Sequence, residues 1–350
     1  MSRVIAYHEA LREALALCLE HDPRVYLMGL GVPDPKGLFG STTGLVDRFG
    51  PERVRDMPAS ENAMTGVALG SALAGMRPVL SHQRVDFALL AMEQMVNQVA
   101  KWHYMFGGQR PVPMLIRMIV GRGWGQGAQH SQSLLSWFAH VPGLTVIAPA
   151  TPHDAKALTL AAIESDDPVI SFEHRWCFNV KGEVPEGIVR APLGEAHVVR
   201  EGADVTIVAS SYMVLEALRA AEQLAEDGVD AEVIDLRTVA PLDRETLARS
   251  VRKTGHLVAA DIGWTSFGVG AEVVSAVVED AFDALRSAPR RVASPDVPSP
   301  STPALSAGFW PRARAIVDAA RAQLGRAPLP AEGPPPFPLD VPDPTFTGPF

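Results

Sequence analysis

Three short stretches carry side chains that could do chemistry. Ser60-Glu61-Asn62 places a carboxylate where a run of small and apolar residues, 60–75, begins. One reading is a helix start, with Ser60 as cap and Glu61 in a first turn that favours an anion. The other is an acid partly withdrawn from water, its pKa raised so that it shares a proton with a nitrogen base. Residues 127–132 (GAQHSQ) place His130 just after a glycine-rich loop, 121–128 (GRGWGQGA). A loop histidine is commonly only a surface residue. Here the glycines allow close backbone approach to a ligand, and Gln129, Ser131 and Gln132 could orient the ring. Residues 83–87 (QRVDF) fall at a strand end, where ligands collect in parallel sheets, although Phe87 taken alone reads as core.

These stretches need a scaffold, and the hydrophobic periodicity supplies one. Helices are predicted over 4–21, 60–75, 86–104 and 154–165, and strands over 24–29, from 79, 113–118, 143–149 and 168–172. Alternation at this spacing implies a parallel sheet covered on both faces. Between about 178 and 200, Gly, Pro and charged residues replace the apolar pattern and read as a linker. A second cycle follows, with strands at 205–209, 231–235 and 256–260. Its helices are expected at 213–227, 243–254, 271–284 and 311–324, the last with Pro311 in its first turn. The expected division is 1–185 for a first domain, 195–325 for a second and 328–350 for a tail. Nine of the 30 prolines fall in that tail, which is either disordered or an extended arm laid on a partner. Phe337, Phe346 and Phe350 favour the arm.

Composition narrows the function. Of 350 residues 47% are apolar, and 31 Lys and Arg face 40 Asp and Glu for a net charge of −9. That excludes a disordered chain and argues against nucleic acid or a polybasic membrane contact. Cys18 and Cys177 are the only cysteines, which leaves neither a disulfide scaffold nor a zinc cluster. No secretory signal or long apolar span is visible, so a cytoplasmic protein is expected. Walker, HExxH and GxSxG motifs are absent, and Val273 stands where a dinucleotide fingerprint starting at Gly268 would need glycine.

Taken together, five stretches point to one family: 60–79 (SENAMTGVALGSALAGMRPV), 91–109 (AMEQMVNQVAKWHYMFGGQ), 127–158 (GAQHSQSLLSWFAHVPGLTVIAPATPHDAKAL), 231–243 (AEVIDLRTVAPLD) and 266–274 (SFGVGAEVV). In that order they resemble the β subunit of the thiamine-diphosphate-dependent E1 component of 2-oxo acid dehydrogenases (pyruvate, branched-chain and acetoin types), within the transketolase superfamily. The resemblance covers roughly 3–325. It implies two α/β domains with parallel-type sheets, a pyrimidine-binding domain followed by a transketolase C-terminal domain.

It also implies roles. Glu61 matches the glutamate that hydrogen-bonds N1′ of the cofactor's aminopyrimidine and promotes loss of the thiazolium C2 proton. Phe87 matches the aromatic packed on the pyrimidine, and Gln83 a residue lining the same ring. His130 matches a histidine that assists the substrate carbonyl and acyl transfer to a lipoyl arm. The diphosphate and Mg²⁺ are held in this family by a GDG…N motif on the α chain, and this sequence has no GDG. The resemblance therefore implies an α partner in an α2β2 heterotetramer, a lipoyl-bearing E2, and no metal site on this chain. Ser81-His82-Gln83-Arg84-Val85 departs from the family pattern, as do Asp261 in place of a glutamate and the bulky Arg122-Gly123-Trp124. Those departures leave open two alternatives: a split transketolase-like or acyloin-forming enzyme with an aldehyde acceptor, and a non-catalytic assembly subunit.

Overall fold

The first expected helix does not begin at residue 4. In the computed structural model, which describes residues 2–121, 126–306 and 308–330, Ser2–Ala6 form a strand, β1, and helix α1 spans Tyr7–His21. Glu9 Oε2 accepts the Ala6 N–H at 2.8 Å, which stops the helix from growing backwards. β1 pairs antiparallel with β8 (Lys181–Pro185), inside the stretch read as linker. The described residues form two compact units, one of 2–120 with 137–193, the other of 121 and 126–136 with 194–306 and 308–330.

In the first unit the strands are β2 (Val25–Gly29), β3 (Val54–Arg55), β4 (Arg77–His82), β5 (Leu115–Val120), β6 (Thr145–Ile147) and β7 (Val169–His174). They lie side by side in the order β6-β7-β5-β4-β2-β3, every neighbouring pair parallel. β2, β5 and β7 are buried at every residue, as strands covered on both faces must be. The helices are α2 (Leu45–Phe49), α3 (Glu61–Leu73), α4 (Val85–Ala88), α5 (Trp102–Met105), α6 (Leu135–Ala139) and α7 (Pro152–Glu164).

The long helix expected over 86–104 is a broken run. α4 gives way to a 3₁₀ turn at Leu89–Ala91, a π-helix at Gln94–Val99 and then α5. The wide turn is visible in Ala100, whose N–H donates to Met95 O, five residues back, at 3.1 Å. There Gly143 passes so close that a Cβ would sit 2.0 Å from Ala100 O. Lys101 Nζ also donates to Pro142 O. The widened turn thus coincides with the place where the 142–143 segment packs on the helix.

In the second unit the strands are β9 (His197–Arg200), β10 (Val205–Ala209), β11 (Ala231–Asp235), β12 (Thr238–Ala240), β13 (Leu257–Trp264) and β14 (Arg290–Ser294). Five of them run β14-β13-β10-β11-β9, with only β9 antiparallel to its neighbour. The helices are α8 (Met213–Glu226), α9 (Arg244–Thr254), α10 (Val269–Ala281), α11 (Pro303–Ser306) and α12 (Ala313–Gln323). Pro311 lies outside α12, not in its first turn, because that helix starts only after Arg312. Its first N–H is held instead by a buried carboxylate of α8, Ala313 N donating to Glu216 Oε2 at 2.8 Å.

The expected α/β architecture, two domains with mostly parallel sheets, is what the chain adopts. Among the described residues no helix is long and apolar enough to cross a membrane. The departure at Arg122-Gly123-Trp124 and the tail residues 331–350 lie outside the described residues.

Candidate active site

The C-terminal edge of the first sheet is where three of the four expected site residues stand. α3 begins at Glu61 and lays Thr65, Ala68, Leu69 and Ala72 against the core, while Asn62, Ala63 and Val67 are exposed. The small exposed residues Ala63 and Gly70 let another backbone approach this face. Ser60 stands at the cap position, but its hydroxyl makes no cap hydrogen bond, so the expected Ser60 cap is not formed. Glu61 is half-buried, and its carboxylate has no hydrogen bond or ion pair among the described residues. A helix start leaves backbone N–H groups unpaired and carries a partial positive charge, which suits an anion there.

β4 delivers the second stretch. Glycine at position 29 lets β2 end against β4, since a Cβ there would lie 2.4 Å from Ser81 O. Gln83 follows β4 and reaches back, its Nε2 donating to Leu30 O at 3.2 Å. Asp56 Oδ1 holds the same loop by accepting the Gly31 and Met57 N–H groups, each at 2.9 Å. Gln83 thus ties the β2 and β4 loops together at the edge it was expected to line. Phe87, in α4, is half-buried rather than a full core residue.

Between them sits Arg84, which is buried and ion-paired through Nε to Asp86 Oδ2 at 3.4 Å. Burial lowers its pKa, and Asp86 opposes that. Arg175, just past β7, is buried over the Phe39 ring at 4.5 Å. Burial, and then the charge of Arg84, push it down to about 10. The two guanidinium groups are thus both buried and close enough to sense one another's charge.

His82, the last residue of β4, is the residue that the motif reading passed over. It is 3% exposed, and burial alone pushes its pKa down to about 4, so the ring is neutral at ordinary pH. Its Nε2 lies 3.5 Å from Thr65 Oγ1 on α3. The signal available was a histidine closing an apolar strand, VLSH, where a polar ring needs a partner.

His130 belongs to the segment that groups with the second unit. It is half-buried in a turn, its N–H donating to Gly127 O at 3.0 Å. Ser131, expected to help orient the ring, instead donates its hydroxyl to Gln126 O at 3.2 Å, and Gln129 is exposed. The turn is thus fixed by its own backbone. Among the described residues no group of three or more His, Cys, Asp and Glu is placed to hold a metal ion.

Asp261, the second departure, is a buried carboxylate at the end of β13. Its Oδ1 accepts the Gly263 N–H at 2.9 Å and its Oδ2 the Gly270 N–H at 3.0 Å, with the N–H groups of Val269 and Ile262 also directed at it. Burial raises its pKa, and those four N–H groups act against that.

The transketolase pyrimidine-binding domain matches residues 3–179 and the transketolase C-terminal domain residues 194–316. The acetoin:2,6-dichlorophenolindophenol oxidoreductase β subunit of Cupriavidus necator is 41% identical over 331 residues, covering 92% of this chain and 98% of its own. The mitochondrial pyruvate dehydrogenase E1 subunit β-1 of Oryza sativa is 42% identical over 330 residues, covering 93% of this chain and 88% of its own. A solved split-gene transketolase, described as an inactive β4 tetramer, superposes with a TM-score of 0.76 at 28% identity, covering 92% of this chain and 98% of its own. By both domains and by this identity, the chain belongs to the transketolase family, among β subunits of the pyruvate dehydrogenase E1 and acetoin oxidoreductase type.

Proposed function

We propose that this chain is the β subunit of a thiamine-diphosphate-dependent 2-oxo acid dehydrogenase E1, active with an α subunit, that passes the acyl group to a lipoyl carrier. The observation that carries the reading is Glu61: a half-buried carboxylate at a helix start, with no partner among the described residues. A carboxylate left unpaired there has its proton-accepting capacity to spare, which fits the aminopyrimidine end of the cofactor. When bound, thiamine diphosphate supplies the nucleophilic carbon and the electron sink for decarboxylation.

The chain's residues supply the rest. Glu61 holds and moves the proton at N1′ of the aminopyrimidine. Phe87 offers an aromatic face at the same sheet edge. Gln83 fixes the loop around Leu30 and Gly31, so the pyrimidine meets a rigid wall. His130 donates to the substrate carbonyl oxygen and assists transfer to the carrier. The diphosphate and Mg²⁺ fall to the α subunit in an α2β2 assembly, which is in keeping with a solved relative whose β4 tetramer is described as inactive. Exposed Val67, Leu90, Tyr104 and Met105, the tyrosine at 87%, fit faces that a partner covers.

A second reading, in which the acceptor is an aldehyde, draws on Arg84 and Arg175. A split-gene transketolase shares the fold, and these two guanidinium groups, which sense one another's charge, would complement an anionic acceptor. Calorimetric titration of thiamine diphosphate with Mg²⁺, into the chain alone and co-expressed with the GDG…N subunit, tests the common core. Tight binding only in the complex is expected, and binding by neither overturns it. Reduction of a lipoyl domain by 2-oxo acid then separates the readings.

A further inference from the structure

The start of α3 has no hydroxyl cap, yet the reading above needs the Glu61 carboxylate held in one direction. The fold supplies a different tether. Thr65 Oγ1 donates to Glu61 O at 2.8 Å, and because its proton is used there, the same oxygen faces His82 Nε2 only as an acceptor. The ring then carries its proton on Nε2 and points it at Thr65, over a contact long at 3.5 Å. Thr65 and His82 are both almost wholly buried, so water does not compete for this chain of groups. β4 is a central strand, with β2 on one side and β5 on the other, so its last residue is a fixed point.

We propose that His82 is a positioning residue for Glu61: through Thr65 it locks the first turn of α3 to the end of β4 and so sets the direction of the Glu61 carboxylate. The inference rests on the proposed role of Glu61 but makes a separate structural claim. The neutral state that burial imposes on His82 suits a one-proton donor.

The test uses four single variants and one double variant of the full chain, assembled with its α partner, with Glu61→Gln as control. Thr65→Val and His82→Leu remove one link each, whereas Thr65→Ser and His82→Gln retain a hydroxyl and an N–H donor. The first pair should lower kcat at least tenfold with KM for the 2-oxo acid within twofold, and the double variant should be no slower than either single one. The second pair should stay within threefold of wild type. Amide hydrogen exchange of the Met64 and Thr65 N–H groups reads the tether without activity and should accelerate at least tenfold in His82→Leu. Unchanged exchange, or losses that multiply in the double variant, would overturn the proposal. Should Glu61→Gln keep full turnover, the reading of Glu61 fails instead, and the exchange result still decides whether His82 holds the turn.

Discussion

Two helices, one in each unit, begin beside a carboxylate, and the two carboxylates are treated in opposite ways. Asp261 is buried and accepts the backbone N–H groups of Gly263 and Gly270, the second in the first turn of α10. Glu61 opens α3 half-buried with none of its acceptor sites used among the described residues. The first arrangement spends a negative charge on architecture; the second keeps one in reserve. Local sequence does not separate these uses, since both are acids near glycine and small apolar residues. Partner count does, and that is a property of the fold.

The comparison can be broken by neutralising each acid. Glu61→Gln should lower turnover of the assembled enzyme by about 10²–10⁴-fold, the range for a lost acid–base group, with thermal stability unchanged. Kinetics together with a melting scan would check both halves. Asp261→Ala should do the reverse, costing about 3–5 kcal/mol of stability, because it strands the Gly263 and Gly270 N–H groups inside the protein. Denaturant titration of that variant measures it, and a loss of turnover at full stability would put Asp261 in the chemistry.

A pH titration sharpens the contrast. His82 has its pKa lowered from 6.5 to about 4, so the unfolded chain binds a proton more readily than the folded one. Its contribution is complete above about 6.5 and is lost as pH falls towards 4, worth about 3 kcal/mol at about 1.4 per unit. Asp261 is shifted up, so its contribution has the other sign: present at low pH and lost as pH rises through its folded-state value. Unfolding measured from pH 4 to 7 in His82→Leu and Asp261→Ala, each set against wild type, should show opposite slopes removed.

The smallest effect concerns the missing cap. Thr151 and Asp243 do cap α7 and α9, accepting the N–H groups of Asp154 at 3.1 Å and Thr246 at 3.0 Å. Thr151→Ala should cost about 1 kcal/mol, whereas Ser60→Ala should cost less than about 0.5. Equal losses in chemical denaturation would mean that Ser60 caps after all.

Much of the frame was legible because parallel strands buried on both faces are continuous apolar runs. β10 and β11 stand at the residues read from sequence, 205–209 and 231–235. What escaped was structure without such a signature. β9 and β14 are edge strands with charged, half-exposed residues, so no pattern marks them. The π-helix escaped because its residues keep helical spacing, and the backbone that packs on it, at Gly143, is more than forty residues away in sequence. At the site, Glu61, Gln83 and Phe87 could be picked out by neighbourhood and resemblance. The tether through His82 could not, because it depends on which face of β4 meets α3. Ser60 misled for the same reason: the cap residue type is present, but its hydroxyl is not turned to the helix.

The close packing around Asp261 also ties two positions of the chain to one another. Gly268 lies so close that a Cβ there would sit 2.5 Å from Asp261 Oδ2 and equally near Trp264 O. The resemblance places a glutamate at position 261, one methylene longer than the residue that stands here. The contact couples the two positions: a longer side chain at 261 must turn its carboxylate elsewhere or displace the backbone at Gly268, and any side chain at 268 must displace Asp261.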